Sequence, residues 1–517
     1  MMFLLDIMII QNGKINVLIS NIYLRIYIYI YNILISNKAY KMDKKEINCT
    51  FAIVGGGIAG VSCAESIAFL APEEEIILVT ASSLIKAVTN MVPLGKTLMQ
   101  FDVEEKDISV LMKAHNSLKI INDFVIKIDC LNKQVETRNG RIINYKMLCL
   151  CNGAKPKLIE EHNFILGIRD TESVLQLSQK IKNSRRIVIV GNGGIATELI
   201  NEVDGVEMIW VIKDKHISAT FVDPGAAEFF MDRVYKTDKH IYTNVSSLTK
   251  RMRYTISNTP AVTGGPALGP DWHNNFDIKG VFLKSAKVQI EYECEIIKIL
   301  NKSEQKEFDP TEEWPIYVEL TNKKIIGCDF VVSATGVIPN SDIIGLEDIK
   351  KSEDGGLLVD WKLETSKQDI YAAGDVCSAG WELARHWFQM RLWTQAHQMG
   401  RYVAKSMVSK LKNEKFLQDF CFELFTHVTK FFGHKVVLLG LYNGQKLDNN
   451  YEILLRMTKG TEYIKLILKD SKMQGAVLIG DTDLEEMCEN LILNQLDLSI
   501  YGEDLLNPDI DIEDYFD

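Results

Sequence analysis

The chain of 517 residues lacks a basic excess, a closely spaced cysteine framework and a long uninterrupted apolar run. It has 69 acidic and 58 basic residues, a net charge of -11, whereas a general nucleic-acid-binding protein carries a basic surface. Its ten cysteines do not have the even, close spacing of a secreted disulfide scaffold, and no cleavable signal peptide is recognisable. These absences argue against direct nucleic-acid binding and favour a reducing compartment.

The first 41 residues are unusually rich in Ile, Tyr and Asn and include the run IYIYIYN at 26–32. Arg25 divides this stretch into apolar pieces shorter than the roughly 18 residues that a membrane helix needs. Met42 begins MDKKEINCTFAIVGGG, which reads as a start just ahead of a first strand. We expect residues 1–41 to be an extension outside the fold, with no membrane association; an N-terminal anchor is the alternative.

A glycine-rich turn follows the short apolar strand expected at 51–54 and precedes a helical stretch. Its sequence is Gly55-Gly56-Gly57-Ile58-Ala59-Gly60. In a dinucleotide-binding turn the first glycine permits the sharp bend, the second lets the backbone approach a pyrophosphate, and the third lets the helix pack closely. The phosphates then lie at the helix N-terminus. The next strand, at 76–79, ends at Thr80, where an acidic residue usually binds the ribose.

The same pattern recurs after the apolar strand expected at 186–190. Gly191-Asn192-Gly193-Gly194-Ile195-Ala196 has the required spacing, Ala196 is a permitted third member, and Glu198 follows. The next strand, at 207–212, ends in Lys213-Asp214-Lys215. An acid at this point favours NAD and a cation favours the 2′-phosphate of NADP. Lys213 is nearest the discriminating position and Asp214 lies beside it, so both nucleotides remain open.

Three more segments suggest how two nucleotide-binding units are connected. A strand ending in Asn152-Gly153-Ala154-Lys155-Pro156 and the similar segment 331–340, which contains Gly336, each place a small-residue turn after an apolar strand. We expect the chain to cross between the units at these turns. A further strand and turn at 369–375 ends in Gly374-Asp375 and presents a carboxylate beside a helix start.

These five signals, in this order, resemble the pyridine nucleotide-disulphide oxidoreductase family of flavoproteins, and the resemblance extends over nearly the whole chain after residue 42. It implies an α/β fold with two Rossmann-like nucleotide-binding domains and a C-terminal α+β interface domain. The FAD-binding domain would be discontinuous, at 42–156 and 331–417. The NAD(P)-binding domain would be inserted at 157–330, and the C-terminal domain, 418–517, would end in an acidic tail.

The resemblance also implies FAD at the first turn and NAD(P)H at the second. The cofactor contacts that it implies are Gly55, Gly57, Ile58, Ala59, Gly60, Thr80, Lys86, Gly374, Asp375, Trp393 and Gln395 on the FAD side, Gly191, Gly193, Gly194, Ile195, Glu198 and Lys213 on the nucleotide side, and Gly153 and Gly336 at the crossings. Lys86, as a cation near the flavin, and Trp393, as a cap on the flavin, are the candidate catalytic residues; the alternative for Lys86 is a solvated surface lysine. No metal site is expected.

One feature of disulphide reductases is missing. Those enzymes carry a cysteine pair on the helix after the second strand, where a thiolate relays electrons from the flavin. The corresponding stretch here, 83–91, contains no cysteine. Cys149 and Cys151 alternate on one strand and are interpreted as structural filler. Dithiol relay is therefore not expected.

The helix expected after Asp375 carries two tryptophans and two histidines. Trp387 and Trp393 do not share a face well at their six-residue spacing, so one is expected in the core and Trp393 at the flavin. His386 and His397 are eleven residues apart, three helical turns, and are expected to share a face.

We expect an NAD(P)H-dependent flavin oxidoreductase that passes electrons to oxygen or another acceptor, acting in the oxidative-stress response of cytoplasm and nucleus. The alternative is a slow-turnover, nucleotide-sensing flavoprotein that docks and protects a protein partner. That partner would bind through the acidic tail or through an insertion expected at 236–313, where the sequence loses periodicity. Oligomerisation is left open.

Overall fold

The computed structural model describes residues 46–235, 280, 287–301, 313–447, 451–458, 460–501 and 505–506. The expected extension at 1–41, most of the expected insertion at 236–313 and the acidic tail beyond residue 506 lie outside these residues. The described residues form two domains built on parallel strands and a C-terminal α+β domain, which confirms the expected fold class. No helix in the described ranges is long and apolar enough to cross a membrane.

The first domain is built on a seven-stranded sheet in the order β5-β2-β1-β8-β7-β6, with β20 also paired to β8. Its strands are β1 (Glu46–Val54), β2 (Ile76–Thr80), β5 (Leu118–Asn122), β6 (Val125–Asp129), β7 (Gln134–Thr137), β8 (Ile142–Leu150) and β20 (Ile370–Ala372). Its helices are α1 (Ile58–Leu70), α2 (Ile108–Ala114) and α6 (Trp393–Leu411). Because β20 follows the second domain in sequence but completes this sheet, the first domain is discontinuous.

The second domain contains a five-stranded parallel sheet in the order β10-β17-β11-β12-β13. These strands are β10 (Ile165–Gly167), β11 (Arg186–Val190), β12 (Glu207–Val211), β13 (Lys287–Glu291) and β17 (Phe330–Ser333), and the helices are α3 (Thr171–Ile181), α4 (Gly194–Glu202) and α5 (Pro224–Val234). A second layer is the antiparallel sheet of β14 (Ile296–Asn301), β15 (Ile316–Leu320) and β16 (Ile325–Cys328).

Two expected boundaries of the second domain are wrong. Strand β17 pairs with both β10 and β11, so residues 331–333 belong to the second domain and the crossing back follows them. The insertion expected at 236–313 is also too long, because β13 is an edge strand of the parallel sheet and β14 belongs to the antiparallel layer. Both strands are short, and β13 alternates apolar with polar residues, a weaker sequence signal than a fully apolar strand.

The two predicted crossings meet as an antiparallel ribbon of β9 (Ala154–Pro156) and β18 (Val337–Pro339). The Asn152 amide donates to the Asn340 carbonyl oxygen at 2.5 Å, and the Asn340 amide donates to the Asn152 carbonyl oxygen at 2.8 Å. This reciprocal pair fixes where the chain leaves the first domain relative to where it returns.

Two further pairs of strands lie outside the main sheets. A long hairpin of β3 (Leu84–Pro93) and β4 (Met99–Asp107) follows β2, and a small pair is formed by β19 (Leu357–Val359) and β21 (Cys377–Ala379). The C-terminal domain is a five-stranded antiparallel sheet backed by α7 (Glu485–Asn494). Its strands are β22 (Thr426–Phe431), β23 (His434–Gly440), β24 (Glu452–Thr458), β25 (Glu462–Lys469) and β26 (Lys472–Ile479).

A buried carboxylate of α7 holds the tip of the β3–β4 hairpin. Glu489 is fully buried and accepts hydrogen bonds from the backbone N–H of Lys96 at 2.5 Å and of Thr97 at 2.7 Å, and from the Thr97 hydroxyl. Sequence reasoning missed this contact, since nothing local links the two segments. The C-terminal domain therefore anchors the hairpin.

Replacing Glu489 by glutamine is expected to lower the free energy of unfolding by about 2–4 kcal/mol, because an amide NH₂ would face backbone donors in a buried site. The loss should appear in urea unfolding and as faster proteolysis within 84–107. Glu486→Gln, on the exposed side of the same helix, is the control and should change neither measurement. Equal unfolding free energies and equal proteolysis rates in the two variants would show that the Glu489 contact does not stabilise the fold.

Candidate functional site

The two glycine-rich turns have the same construction. Gly55 and Gly191 have φ angles of +117° and +124°, a region that L side chains rarely adopt. A Cβ at Gly55 would collide with the Cys151 carbonyl oxygen, and one at Gly191 would collide with that of Ala334. In each domain the first glycine thus lets the backbone of the turn lie directly against the residue that follows a neighbouring strand, Cys151 after β8 and Ala334 after β17.

The second glycine of each turn is different. Gly57 and Gly193 have φ angles of -77° and -97°, which any residue adopts, and no atom of the described residues lies within 4 Å of a Cβ built at either. Each caps a helix, α1 or α4, with no side-chain hydrogen bond to the first N–H groups. Unfilled space in front of free N–H groups fits a pyrophosphate. Gly60 acts instead in packing, because its Cβ would meet the Gly55 carbonyl oxygen.

Both turns open into one cavity of about 1050 Å³ between the two domains. Most of the predicted cofactor contacts line it, namely Gly55, Gly57, Ile58, Ala59, Thr80, Gly153, Gly191, Gly193, Gly194, Ile195, Glu198, Lys213, Gly336, Asp375 and Trp393. Four predicted contacts do not: Gly60, Lys86, Gly374 and Gln395. The structure thus brings the two dinucleotide-binding turns to a single space.

Asp375, predicted to contact the ribityl and phosphate region, lines the cavity and forms an ion pair with Arg169. The Arg169 Nε also donates to the Ala154 carbonyl oxygen at 3.2 Å. Burial lowers the pKa of Arg169 to about 10, which still leaves it charged at neutral pH. Arg169 is a cavity residue that sequence reasoning missed, because a lone arginine after a short strand carries no local signal.

Thr80, predicted to replace the usual ribose-binding acid, ends β2 at the cavity wall. Its hydroxyl lies 3.2 Å from the Ser82 carbonyl oxygen and 3.3 Å from the Ser82 N–H, within its own turn. The Thr80 contact with a ribose stays a prediction.

Lys86 lies on strand β3, because residues 84–93 form a strand and not the helix that carries the cysteine pair in disulphide reductases. Its ammonium is buried and lies 2.6 Å from the Glu105 carboxylate, which also accepts from the Thr171 hydroxyl. Lys86 is therefore held by the hairpin and the start of α3, and its backbone N–H donates to the Gly56 carbonyl oxygen at 3.0 Å, although Lys86 itself does not line the cavity. Its predicted contact with the flavin stays a prediction.

Trp393 is the first residue of α6 and lines the cavity. Its ring centroid lies 4.9 Å from that of His427, whose Nδ1 is 3.0 Å from the Thr394 hydroxyl. His427 comes from β22 of the C-terminal domain, is 1% exposed and also lines the cavity. Burial lowers its pKa to about 3, so its imidazole is neutral at physiological pH. Sequence reasoning missed His427, because only tertiary packing brings it to Trp393.

The helix expected after Asp375 begins later than predicted, which overturns one expectation. It starts at Trp393, so His386 and Trp387 lie in an irregular segment, and His386 and His397 do not share a helix face. The Gln395 amide accepts from the Met390 N–H at 2.8 Å and donates to the Phe388 carbonyl oxygen at 2.9 Å. This side chain therefore satisfies backbone groups that a helix would have paired.

Trp387 and Gly374 take part in the packing of the first domain. Trp387 is buried in the core of the first domain, stacked on Trp381 at 5.7 Å between centroids. Gly374 has a φ of +77°, and its Cβ would lie 2.9 Å from that of Ala59. Gly374 thus permits close approach to α1, and the predicted cofactor contact at this residue stays a prediction.

At the predicted NAD(P)-binding turn, the cavity is lined by one basic and one acidic residue at the position that discriminates NAD from NADP. Lys213 is exposed and lines the cavity. Asp214 also lines it, and its carboxylate accepts from the Asn192 amide at 2.8 Å. Because a cation and an acid both face the space, the choice between NAD and NADP stays open.

All ten cysteines are free thiols. The Sγ atoms of Cys149 and Cys151 lie 3.5 Å apart at the carboxyl end of β8, which ends at Leu150, and both residues are buried. Burial raises the pKa of Cys149 well above its ordinary value, with hydrogen bonds to Cys151 and Cys63 adding to the shift. A buried thiol that resists ionisation is a poor nucleophile.

Comparison with known proteins places this site in context. The family model described as pyridine nucleotide-disulphide oxidoreductase matches residues 50–253 and 284–400, and that of the rubredoxin NAD+ reductase C-terminal domain matches 427–496. The chain is 50% identical over 494 residues to the Homo sapiens protein called pyridine nucleotide-disulfide oxidoreductase domain-containing protein 1, covering 90% of this chain and 98% of that protein.

Two solved structures share the fold at low identity. A ferredoxin reductase from Rhodopseudomonas palustris has a TM-score of 0.59 and 20% identity, covering 84% of this chain and 91% of its own. A water-forming NADH oxidase from Lactobacillus brevis has a TM-score of 0.59 and 15% identity, covering 87% of this chain and 92% of its own.

Proposed function

Because the chain belongs to the pyridine nucleotide-disulphide oxidoreductase family, we propose that it is an FAD-dependent NAD(P)H oxidoreductase that works without a redox-active cysteine pair. The family cofactors, FAD and NAD(P)H, are the cofactors of this flavoprotein. The observation that carries the proposal is the opening of two identically built dinucleotide turns into one cavity. Two dinucleotides held there would bring their reactive rings together.

Bound FAD supplies a two-electron acceptor for the hydride of the nicotinamide. The protein's residues bind and orient: the N–H groups that follow Gly57 and Gly193 take the two pyrophosphates, and Asp375 accepts hydrogen bonds at the cavity wall. Trp393 and the neutral His427 form an aromatic wall that excludes water and carries no charge. These are positioning roles, which suits cofactor chemistry.

We propose that the electrons pass to oxygen or to another external acceptor. With oxygen the balanced reaction is NAD(P)H + H⁺ + O₂ giving NAD(P)⁺ + H₂O₂. The fold neighbours named as a water-forming NADH oxidase and a ferredoxin reductase support this range of acceptors. A role in the oxidative-stress response, in cytoplasm and nucleus, is part of the same proposal.

A second candidate function is a slow-turnover, nucleotide-sensing flavoprotein that docks and protects a protein partner. The observation that favours it is the packing of the β3–β4 hairpin against Ile58 and Trp393, two residues of the cavity wall. Phe101 and Val103 of the hairpin are buried against Ile58, and Trp393 packs on this cluster. A hairpin packed against this part of the wall would hinder the approach of an external acceptor from that side and lengthen the life of the reduced state.

Turnover separates the two functions. Purified FAD-loaded protein given NADH or NADPH in air should consume the nucleotide continuously and produce peroxide if it is an oxidase. A single bleaching of the flavin, with long-lived charge-transfer absorbance and no further consumption, would support the nucleotide sensor. Absence of any flavin reduction by either nucleotide would refute both.

The double variant Cys149→Ser, Cys151→Ser is expected to retain NAD(P)H oxidation within about twofold of wild type, because both thiols are buried and burial raises the pKa of the Cys149 thiol. The measurement is steady-state nucleotide consumption, together with reduction of a small aromatic disulphide. The wild-type protein should reduce that disulphide no faster than the double variant does. Appreciable disulphide reduction that the double variant loses would reinstate a dithiol relay.

A further inference from the structure

The loop at 212–223, which joins β12 to α5, contacts the nucleotide turn at one end. The backbone N–H of Ser218 donates to the Asn192 side-chain oxygen at 2.5 Å, and the Asn192 amide donates to the His216 carbonyl oxygen at 2.9 Å. The Thr220 hydroxyl donates to the Asn192 carbonyl oxygen at 3.3 Å. Asn192 lies between Gly191 and Gly193, so this loop holds the residue at the centre of the predicted pyrophosphate site.

The other end of the loop contacts the C-terminal domain. The buried Tyr442 hydroxyl donates to the Thr220 carbonyl oxygen at 2.9 Å. Asp223 caps α5 by accepting from the Ala226 N–H at 2.9 Å, accepts from the Tyr463 hydroxyl at 3.0 Å, and forms an ion pair with Lys465. One residue, Thr220, thus touches the nucleotide turn through its hydroxyl and the C-terminal domain through its carbonyl.

Lys465 supplies the positive charge of this interdomain contact from a buried position. It is 3% exposed within β25, and its ammonium also donates to the Asn443 side-chain oxygen at 3.0 Å. Burial lowers the pKa of Lys465, and the Asp223 carboxylate opposes that shift. Removing one partner of a buried ion pair leaves an uncompensated charge at high cost. The buried Lys465 ammonium of the C-terminal domain is therefore compensated by Asp223 of the second domain.

Packing reinforces the ion pair. Phe221 of the loop and Phe230 of α5 share one buried cluster with Phe431 and Tyr463 of the C-terminal sheet. Because close-packed interiors transmit small displacements instead of absorbing them, a shift at Asn192 has a continuous path to β25.

We propose that the 212–223 loop couples the nicotinamide-nucleotide site to the C-terminal sheet, with Tyr442, Asp223 and Lys465 as positioning residues. NAD(P)H binding would tighten the docking of the C-terminal domain. By reciprocity, weakening that docking would weaken nucleotide binding by the same factor. The inference rests on the proposed function, since it requires NAD(P)H at the second turn.

Amide hydrogen exchange of the FAD-loaded protein, with and without saturating NADH or NADPH, tests the first half. Peptides covering 440–443 and β25 should exchange at least about fivefold more slowly with nucleotide bound, within the usual range of coupling between sites. Neither peptide lines the cavity, so direct shielding by the nucleotide does not account for such protection.

Two variants test the second half. Tyr442→Phe removes the hydroxyl that pairs with Thr220, and Lys465→Met removes the ammonium and keeps a chain of similar length. Each should raise the Kd for NAD(P)H about threefold to tenfold, with unchanged FAD content, because each removes one contact between the 212–223 loop and the C-terminal domain. The matched control is Lys435→Met, which breaks the Lys435–Glu485 ion pair inside the C-terminal domain and should leave the Kd unchanged.

The outcomes are distinguishable. Slower exchange at 440–443 and β25, together with a raised Kd in Tyr442→Phe alone or in both variants, supports the coupling. Nucleotide binding to the wild-type protein without that protection, or Kd values that match Lys435→Met, would overturn the coupling and leave the proposed function intact. Failure of the wild-type protein to bind either nucleotide would overturn both.

Discussion

Replacing Gly193 by valine is expected to raise the Kd for NAD(P)H about 100-fold, equivalent to about 2.7 kcal/mol, while FAD stays bound. The backbone at Gly193 has φ -97° and ψ -172°, which valine adopts without strain, and within the described part of the chain no atom lies within 4 Å of the added Cβ. The new side chain therefore costs the folded protein little. It occupies the space where the pyrophosphate would approach the N–H groups of α4.

The measurement is nucleotide titration followed by flavin fluorescence or by the rate of flavin reduction. Gly193→Ala gives a graded comparison, because its single methyl group fills less of the same space. The melting temperature and the flavin spectrum of the nucleotide-free protein should match wild type, which separates the effect from misfolding. Unaltered nucleotide affinity in the valine variant would place the nicotinamide nucleotide elsewhere.

Replacing Gly57 by valine should produce protein purified without flavin. Gly57 has φ -77° and ψ -178° and open space around its Cβ, so the substitution is as compatible with the fold as that at Gly193. The side chain would instead obstruct the pyrophosphate of FAD at the start of α1. Because a ligand stabilises the fold by RT ln(1 + [L]/Kd), losing tightly bound FAD should also lower the melting temperature.

The flavin-to-protein ratio after desalting, read from absorbance near 450 nm, is expected to fall at least about tenfold. Added FAD should raise the melting temperature of wild-type apoprotein and not that of the variant. Gly193→Val is the reciprocal control, since it alters the other turn and should retain flavin. Full flavin occupancy in Gly57→Val would contradict the assignment of FAD to the first turn.

The two turns could be read from the sequence because their function depends on local backbone. Glycine is needed at positions 55 and 191 because there a strand bends directly into a helix against a neighbouring carbonyl oxygen. The spacing to Gly57 and Gly193 is that of the dinucleotide-binding turn. The crossings at residues 153 and 336 were equally readable, since each follows an apolar strand.

Other features depended on partners far away in sequence, and the sequence misplaced them. The helix predicted over His386 begins only at Trp393, because Gln395 binds the backbone of 388–390 and holds it irregular. Strand β13 was assigned to an insertion because an edge strand of five residues carries a weak alternating pattern.

The sequence by itself determined that this chain has two dinucleotide turns, their order, the interrupted first domain and the absence of cysteine at 83–91. Each of these features depends on residues that are close in sequence, so their spacing can be read without knowing the fold. Only the tertiary structure decided that His427 stands against Trp393, that Lys86 is bound to Glu105, and that Lys465 is neutralised by another domain. Those pairs form because burial removes water from charged and aromatic side chains, and which partner replaces the water depends on the packed fold.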